Sequence, residues 1–239
     1  DFYKACKKAG VKPIIGCEVY VAPRTRFDKQ AGLDDSAYHL VLLVKNEQGY
    51  RNLSRLESLA SLDGFYYKPR VDREILEQYH EGLIALSGCL TGDVVQKILQ
   101  EDLEGAREAA QWYQNTFGAE NYYFEVQNHG MHEQIRINYH LNILSEELGI
   151  PLVATNDNHY VYREDAKTQD VMMCIQMGKT MDDTSRMKFE GDHFYLKSYD
   201  EMQQILGDYP ESLTNTLKIA DQCNFDFTFG ENNMPIFDV

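Results

Sequence analysis

An acidic and an imidazole side chain follow a short apolar segment in the second half of the chain, and both are metal-binding types. The run from Ile150 to Ala154 has the length and continuous hydrophobicity of a parallel strand covered on both faces. Asp157 and His159 follow it two positions apart, the spacing of side chains on one side of a strand. Because α/β folds place ligands beyond the carboxyl ends of their strands, the two would meet there around a metal ion. The alternative is a loop aspartate that caps the next helix beside an incidental histidine.

Other predicted strands carry residues of the same kind. These residues are Glu18, His39, Cys89, Glu125 and His129. Glu18 is the hardest to explain otherwise, because a carboxylate in an apolar strand is costly unless it is paired or metal-bound. Carboxylates, imidazoles and a thiolate together suit Zn²⁺, Mn²⁺ or Fe²⁺ rather than Ca²⁺. The pattern therefore predicts a shared metal site at the strand ends.

Each residue also has a structural alternative. His39 could be a half-buried histidine satisfied by backbone groups, and Cys89 a small core residue. Glu125 could be neutralised by an arginine such as Arg70. These alternatives stay open for single residues, whereas the occurrence of such residues at successive strand ends favours a common site.

The remaining histidines fit the strand pattern less well. His80 and His140 lie in amphipathic helical segments, where surface or packing roles are expected. His132 begins a helix and could cap it, and His193 falls outside the strand pattern. The sequence contains no GxxxxGK or GxGxxG phosphate loop and no GxSxG nucleophile elbow.

Composition and charge narrow the functional classes. The 239 residues, 43% hydrophobic and 26% charged, suffice for one large α/β domain and exclude a disordered chain. A net charge of −15 argues against a domain that grips nucleic acid alone, so a polyanion would need bound cations or basic parts of a longer protein. Five cysteines without CxxC spacing favour a reduced, cytoplasmic compartment. We expect no membrane span and no signal peptide.

Strand-like and helix-like segments alternate, which predicts one α/β domain with a parallel sheet, open or closed into a barrel. The predicted strands cover residues 12–22, 39–46, 83–90, 121–130 and 150–157. The predicted helices cover residues 1–10, 47–64, 71–82, 91–118, 132–149 and, with an interruption at 188–198, 164–223. The chain opens directly on a helix, so we expect it to begin partway through a fold.

Local signals mark several helices. Gly10 is expected to end the first helix in the left-handed conformation. Residues 91–118 are expected to form one or two helices, with Thr91 or Asp93 as the cap at their start. A leucine stripe at steps of three marks the helix of residues 47–64. The stripe consists of Leu53, Leu56, Leu59 and Leu62.

Long stretches of the chain resemble a known family. They include DFYKACKKAGVKPIIGCEVYVAP, HLVLLVKNEQGYRNLSRL, GFYYKPRVD, GLIALSGCLTGDV, YYFEVQNHGM, GIPLVATNDNHYV, CIQMGKTMDD and FEGDHFYLKS. On these motifs the chain resembles the PHP (polymerase and histidinol phosphatase) domain at the N-terminus of bacterial replicative DNA polymerase III alpha subunits. The C-terminal FGENNMPIF resembles the passage from this domain to the polymerase palm.

The resemblance implies a distorted (β/α)7, TIM-like barrel with up to three divalent metal ions at the carboxyl ends of its strands. By motif, the family's ligand positions fall on Glu18, His39, Cys89, Asp157 and His159. Glu125 and His129 are implied as candidates that support these ligands. The family's first strand, with its His-x-His, and the next Thr-Asp-His segment have no counterpart, so we expect an N-terminally truncated domain with an incomplete metal cluster. Residues 1–225 would form this domain, and residues 226–239 the connection toward the palm.

For function, the resemblance implies a metal-dependent phosphoesterase inside a DNA polymerase, acting as a 3′→5′ exonuclease that proofreads new DNA. Asp157 and His159 would be its catalytic ligands, and Arg70 a candidate contact to phosphate. The expected partners are DNA, other polymerase subunits and a separate proofreading exonuclease. The alternatives are a silent scaffold that stabilises the polymerase and docks that exonuclease, and a free-standing phosphatase of the same superfamily. The polymerase's own carboxylates would lie beyond Val239, so we expect this fragment alone not to synthesise DNA.

Overall fold

Six strands form one sheet in the computed structural model, which describes residues 1–230. The strands are β1 (Gly16–Val21), β2 (Tyr38–Val44), β3 (Arg70–Val71), β4 (Leu83–Leu86), β5 (Tyr122–Val126) and β6 (Leu152–Ala154). The helices are α1 (Phe2–Ala9), α2 (Glu47–Leu62), α3 (Arg73–Tyr79), α4 (Asp93–Leu99), α5 (Leu103–Phe117), α6 (His132–Leu148), α7 (Ala166–Met177), α8 (Tyr199–Leu206) and α9 (Pro210–Gln222). Within this part of the chain, no helix combines the length and apolar character needed to span a bilayer.

The order of the strands is β3-β1-β2-β4-β5-β6, and among them β2 runs against its neighbours. β1 pairs in parallel with β3, and β4, β5 and β6 pair in parallel with one another. The prediction of a parallel sheet is therefore wrong for β2. Residues 22–37 form no helix, and without a helical crossover the chain turns back beside β1.

The reversal of β2 decides where its first residues lie. The carboxyl ends of β1, β4, β5 and β6 lie at one edge of the sheet, and the start of β2 lies there too. We call this the ligand edge. A histidine at the entry of β2 therefore reaches the same edge as residues that follow the other strands.

The described strands do not pair into a closed ring, because β3 and β6 each pair with one neighbour. Helices connect the parallel strands β3, β4, β5 and β6, as in TIM-like folds. The α/β class and the mostly parallel sheet are as predicted. Closure into a seven-stranded barrel stays a prediction.

The core lies between the sheet and the helices that cover it. Alternate residues Leu40, Leu42 and Val44 of β2 are buried on one face, and α2 contributes the buried Leu53 and Leu56. The predicted leucine stripe is therefore correct in its first half. Its last member, Leu62, is 81% exposed because α2 ends at this residue.

Two helix termini test the local signals. Gly10 ends α1 with φ +71, which confirms the predicted left-handed cap. The predicted cap of α4 is wrong: Gly92 is its N-cap, and Asp93 is its first helical residue. The Thr91 hydroxyl instead lies 3.2 Å from the Cys89 sulfur, at the ligand edge.

The last described residues return to the first helix. Phe225 and Phe227 pack on Tyr50, with ring centroids 4.7 and 5.1 Å away. Tyr3 of α1 meets Phe227 at 5.0 Å and donates a 2.8 Å hydrogen bond to Asp226. Packing thus continues into the connection predicted over residues 226–239, of which residues 231–239 lie outside the described part.

Candidate metal centre

Strand register places Glu18 beside His39. Glu18 pairs with Val41 across the β1–β2 ladder, and His39 pairs with Tyr20. Residues two apart in a strand share a face, so Glu18 and His39 are diagonal neighbours on one face of the sheet. Glu18 Oε1 lies 3.0 Å from His39 Nδ1.

The loop after β4 brings Cys89 to the same point. Gly88 has φ +82, and a Cβ there would lie 2.5 Å from the carbonyl oxygen of His39, so glycine lets the loop pass this close. The His39 N–H donates to the Thr91 carbonyl at 3.1 Å, which fastens the loop to β2. Cys89 Sγ consequently lies 3.7 Å from His39 Nδ1.

These three residues form a compact donor group, and we call them the sheet half of the site. One ligand atom from each of Glu18, His39 and Cys89 lies within 4.8 Å of the other two. Ligands bound at about 2.0–2.3 Å to one tetrahedral ion are separated by about 3.3–3.8 Å, so small side-chain movements would suffice to bind a cation. A carboxylate, an imidazole and a thiol form a mixed donor set that fits Zn²⁺, Mn²⁺ or Fe²⁺.

Hydrogen bonding sets the charges in the sheet half. The bonds to Cys89 and then Glu18 raise the pKa of His39 to about 10. The same histidine lowers the pKa of Glu18. Without a cation the group is thus an imidazolium–carboxylate pair, and a metal that binds there must displace the shared proton.

Asp157 and His159 lie on the loop after β6, and we call them the loop half. β6 ends at Ala154 and Asp157 has φ +44, so strand parity does not set their directions. His159 Nδ1 lies 2.7 Å from the Asp157 carbonyl oxygen, which can only accept. Nδ1 therefore carries the hydrogen and leaves Nε2 free, an arrangement typical of metal-binding histidines.

The two halves are neighbours without forming one tight cluster. Within residues 1–230, neither Asp157 nor His159 joins the group of donor atoms within 4.8 Å. Their charges nevertheless interact. Burial raises the pKa of Asp157, His159 lowers it, and the Glu18 carboxylate raises it further.

Glu125 is buried between the two loops. Its carboxylate accepts hydrogen bonds from the Gly88 N–H at 2.7 Å and from the Thr155 hydroxyl at 2.8 Å. Burial raises the pKa of Glu125 to about 7, and the charges of Asp157 and Glu18 act in the same direction. Glu125 thus ties the loop after β4 to the loop after β6. The alternative that Arg70 neutralises it is wrong, because these polar groups are its partners.

His129 holds the loop half in place. Nε2 donates to the Asn156 carbonyl at 2.9 Å, and Nδ1 accepts from the Gln134 amide at 2.8 Å. Both ring nitrogens are therefore engaged, and His129 does not present a free donor atom to a cation. Burial lowers the pKa of His129 to about 4, so the ring stays neutral.

Asn156 is a second support for the loop. Its amide donates to the carbonyls of His193 at 3.0 Å and Tyr195 at 2.8 Å, and its oxygen accepts from Lys197 at 2.9 Å. A buried amide with all these partners fixes the backbone on either side of it.

The segment of residues 188–198 packs on the His159 ring. Phe189 and Phe194 lie at centroid distances of 4.4 and 5.8 Å, and the His159 N–H donates to the Phe194 carbonyl at 2.9 Å. From the sequence this segment is an interruption between helices and part of a motif that resembles the family, and neither observation links it to His159. Its aromatic residues are the available signal, but nothing local links them to a loop thirty residues away.

Arg70 has a structural role inside the fold, and its candidate contact to phosphate stays a prediction. It is 1% exposed, and its guanidinium donates to the carbonyls of Gly64, Asp34, Arg26 and Asp28. These bonds organise the connection between β1 and β2. The four bonds use four of the five N–H donors of the guanidinium.

The other histidines lie apart from the donor group. His80 follows α3, with Nδ1 2.8 Å from the Glu77 carbonyl, and His140 packs on Tyr139. His132 is the first residue of α6, whose N-cap is Met131 without a side-chain cap, so its predicted capping role is wrong.

Known proteins match the chain throughout. A family model described as PHP domain matches residues 1–129, more than half of the chain. The DNA polymerase III alpha subunits of Borreliella burgdorferi and Treponema pallidum are each 46% identical across all of this chain, which corresponds to 21% and 20% of those proteins. The Thermus aquaticus alpha subunit is 45% identical over 97% of the chain and 19% of its own length. The chain therefore spans about a fifth of the curated relatives that it matches, and it belongs to the PHP domain family.

Proposed function

We propose that this chain is the metal-dependent phosphoesterase domain of a DNA polymerase III alpha subunit, and that it acts as a proofreading 3′→5′ exonuclease. The observation that carries the proposal is the convergence of the Glu18 carboxylate, the His39 imidazole and the Cys89 thiol at the ligand edge. The names of the relatives support the polymerase context.

The sheet half would hold the cation, and the loop half would extend the site toward substrate. Glu18, His39 and Cys89 offer oxygen, nitrogen and sulfur donors, and His159 offers Nε2. A bound divalent cation supplies Lewis-acid stabilisation of charge on a phosphodiester and makes bound water more acidic. Zn²⁺, Mn²⁺ or Fe²⁺ matches this donor set.

Asp157 is the residue proposed to move a proton. Burial and the Glu18 charge raise the pKa of its carboxyl, which makes the carboxylate a better base. It would accept a proton from the water that attacks the terminal phosphorus, while the bond from phosphorus to the 3′ oxygen of the shortened strand breaks and that oxygen takes up a proton from solvent. Glu125 and His129 position the loops that carry Cys89 and Asp157.

The longer protein is part of the proposal. DNA synthesis, binding to DNA and to other polymerase subunits, and a cytoplasmic location are proposed for the whole protein from its relatives. The charge of −15 supports DNA contact through bound cations and through other domains. Also proposed are a PHP domain over residues 1–225, its closure into a (β/α)7 barrel, and a connection over residues 226–239. The isolated chain is expected not to extend a primer.

A second candidate is a scaffold that stabilises the polymerase and docks a separate exonuclease. It is favoured by the direct bonds of His39 to Glu18 and Cys89, which hold the ligand edge together without a cation. The three relatives reported above match 97–100% of the chain and are polymerase subunits, so they give a free-standing phosphatase no support.

The test uses the full-length protein and a primer with a mismatched 3′ end. We expect nucleotide release with Mn²⁺ or Zn²⁺ and co-purified metal measured by mass spectrometry. Asp157→Asn is expected to reduce release at least about 100-fold. Primer extension by the same preparation is the control, because its residues lie elsewhere in the protein.

Two results would contradict the proposal. Release that survives both Asp157→Asn and Cys89→Ala would place the exonuclease outside this site. Metal-free protein with no release, yet normal polymerase stability, would favour the scaffold.

A further inference from the structure

A pocket of about 240 Å³ opens next to the sheet half of the site. Its lining includes His39 of the donor group, together with Tyr20, Tyr66, Tyr67 and Lys68. The pocket thus shares one wall with the proposed metal centre. Three of the lining residues are consecutive, and we call residues 66–68 the tyrosine turn.

The tyrosine turn holds the Tyr67 ring in solvent, and the backbone of Tyr67 is in an unfavourable conformation. Tyr67 has φ +59, a left-handed conformation that is unfavourable for a bulky residue, and it is 71% exposed. Burial of the ring therefore does not offset the strain. Tyr66 supports it, with its ring centroid 4.6 Å away and its hydroxyl donating to Asp35 at 3.2 Å.

Lys68 adds a fixed positive charge to the same pocket. Nζ donates to the Tyr20 hydroxyl at 3.0 Å and lies 4.1 Å from the centre of that ring. Tyr20 in turn meets the His39 ring edge-on at 5.1 Å.

We propose that this pocket binds the terminal nucleotide of a single-stranded nucleic acid, with a base stacked on Tyr67 and a phosphate beside Lys68. The inference rests on the proposed function, because the pocket adjoins the centre that would hydrolyse the strand. Aromatic faces with nearby cations are how proteins hold single strands without reading their sequence. Within residues 1–230, Asp35 is the only carboxylate that lines the pocket, and it accepts hydrogen bonds from the Tyr66 hydroxyl and the Gly32 N–H.

Photocrosslinking tests the pocket independently of catalysis. The full-length protein is irradiated with an oligonucleotide that carries 5-iodouridine at its 3′ end, and adducts are located by mass spectrometry. We expect an adduct on the peptide that contains residues 66–68. Tyr67→Asn should lower its yield at least about fivefold, because asparagine keeps the left-handed backbone while removing the ring. Tyr139→Asn, at an exposed tyrosine of α6, is the matched control and should leave the yield unchanged.

Kinetics separate the pocket from the metal centre. Tyr67→Asn and Lys68→Met should each raise KM for a single-stranded oligonucleotide at least about fivefold, with kcat and bound metal within about twofold of wild type. Lys218→Met, at an exposed lysine of α9, is the control for lost charge.

The outcomes distinguish this inference from the proposed function. An adduct on residues 66–68 without any hydrolysis keeps the pocket and overturns the phosphoesterase. Hydrolysis with unchanged KM in both variants, and no adduct on that peptide, overturns the pocket and keeps the phosphoesterase.

Discussion

The two halves of the candidate site are built in different ways. In the sheet half, Glu18 and His39 are placed by the register of two paired strands, and Cys89 by a glycine turn fastened to one of them. In the loop half, Asp157 and His159 lie beyond the end of β6 and are held by residues far apart in sequence. The first arrangement depends on backbone pairing, and the second on buried side chains. The two halves should therefore fail for different reasons.

The substitution with the largest expected effect is Gly88→Ala, which should disrupt the sheet half. In Gly88→Ala, the new Cβ would meet the His39 carbonyl at 2.5 Å in a left-handed backbone, so the turn must move and carry Cys89 away. We expect a loss of about 3 to 4 kcal/mol in unfolding free energy and loss of bound metal. Urea unfolding and metal analysis measure both.

A matched glycine controls for backbone strain alone. Gly178 has φ +63 at the end of α7, and a Cβ there meets nothing within 4 Å. Gly178→Ala should cost about 1 kcal/mol and leave the metal content unchanged. Equal effects of the two substitutions would show that the approach to His39 is unimportant.

Acid should weaken the loop half first. The pKa of His129 is about 4 in the fold and about 6.5 when unfolded, so the unfolded chain binds more protons between these values. Stability contributed by the loop half is therefore lost as pH falls from about 6.5 toward 4, by up to about 3 kcal/mol. The effect of pH on the contribution of His39 has the opposite sign. Because its pKa is raised, His39 contributes stability that is fully present below about pH 6.5 and is lost as the pH rises toward 10.

Urea titrations across this pH range, with and without His129→Gln, measure the difference. Glutamine keeps an amide that can donate and accept, but it does not titrate. In His129→Gln the unfolding free energy should fall less between about pH 6.5 and 4 than in wild type. In His140→Gln it should fall as it does in wild type. If the fall in unfolding free energy is unchanged in His129→Gln, the pH dependence belongs to another group.

The substitution with the smallest expected effect is Asn156→Ala, which should disturb the loop half without disturbing the sheet half. Asn156→Ala leaves the Tyr195 carbonyl without its side-chain donor and removes one of the two donors to the His193 carbonyl, for a cost of about 2 kcal/mol. Hydrogen exchange should rise in residues 155–160, while metal bound by the sheet half is retained. Asn142→Ala, at a solvent-facing amide of α6, should change neither property. Loss of metal in Asn156→Ala would mean that the halves act as one unit.

Much of the fold could be predicted from the periodicity of apolar residues. Features that depend on contacts between distant segments could not. The apolar runs at β2, β4 and β6 and the leucine stripe of α2 reflect local burial, which the chain itself encodes. The direction of β2 does not follow from its own residues, since it depends on how residues 22–37 connect two strands. Arg70 shows the same limit: its burial depends on carbonyls in that connection, which no local pattern identifies.

The candidate site shows the same difference between features that local patterns predict and features that depend on distant segments. Donor types at strand ends were sufficient to select Glu18, His39 and Cys89, because strand pairing brings such positions together. The supports of Asp157, namely Asn156 and the segment of residues 188–198, act through hydrogen bonds between distant segments. The roles of all five residues as metal ligands stay predictions, and so does the catalytic role of Asp157 and His159.

The antiparallel course of β2 has a consequence for how this architecture can diversify. Since β1 leaves the sheet and β2 re-enters it at the edge that gathers the donor residues, the span between them borders the entrance, where Asp35 and Ala37 line the pocket next to His39. A change in the length or composition of that span would alter the entrance to the pocket, while Glu18 and His39 keep their positions in the paired strands. This connection can therefore vary access to the candidate site without moving the two donor residues that the strands hold.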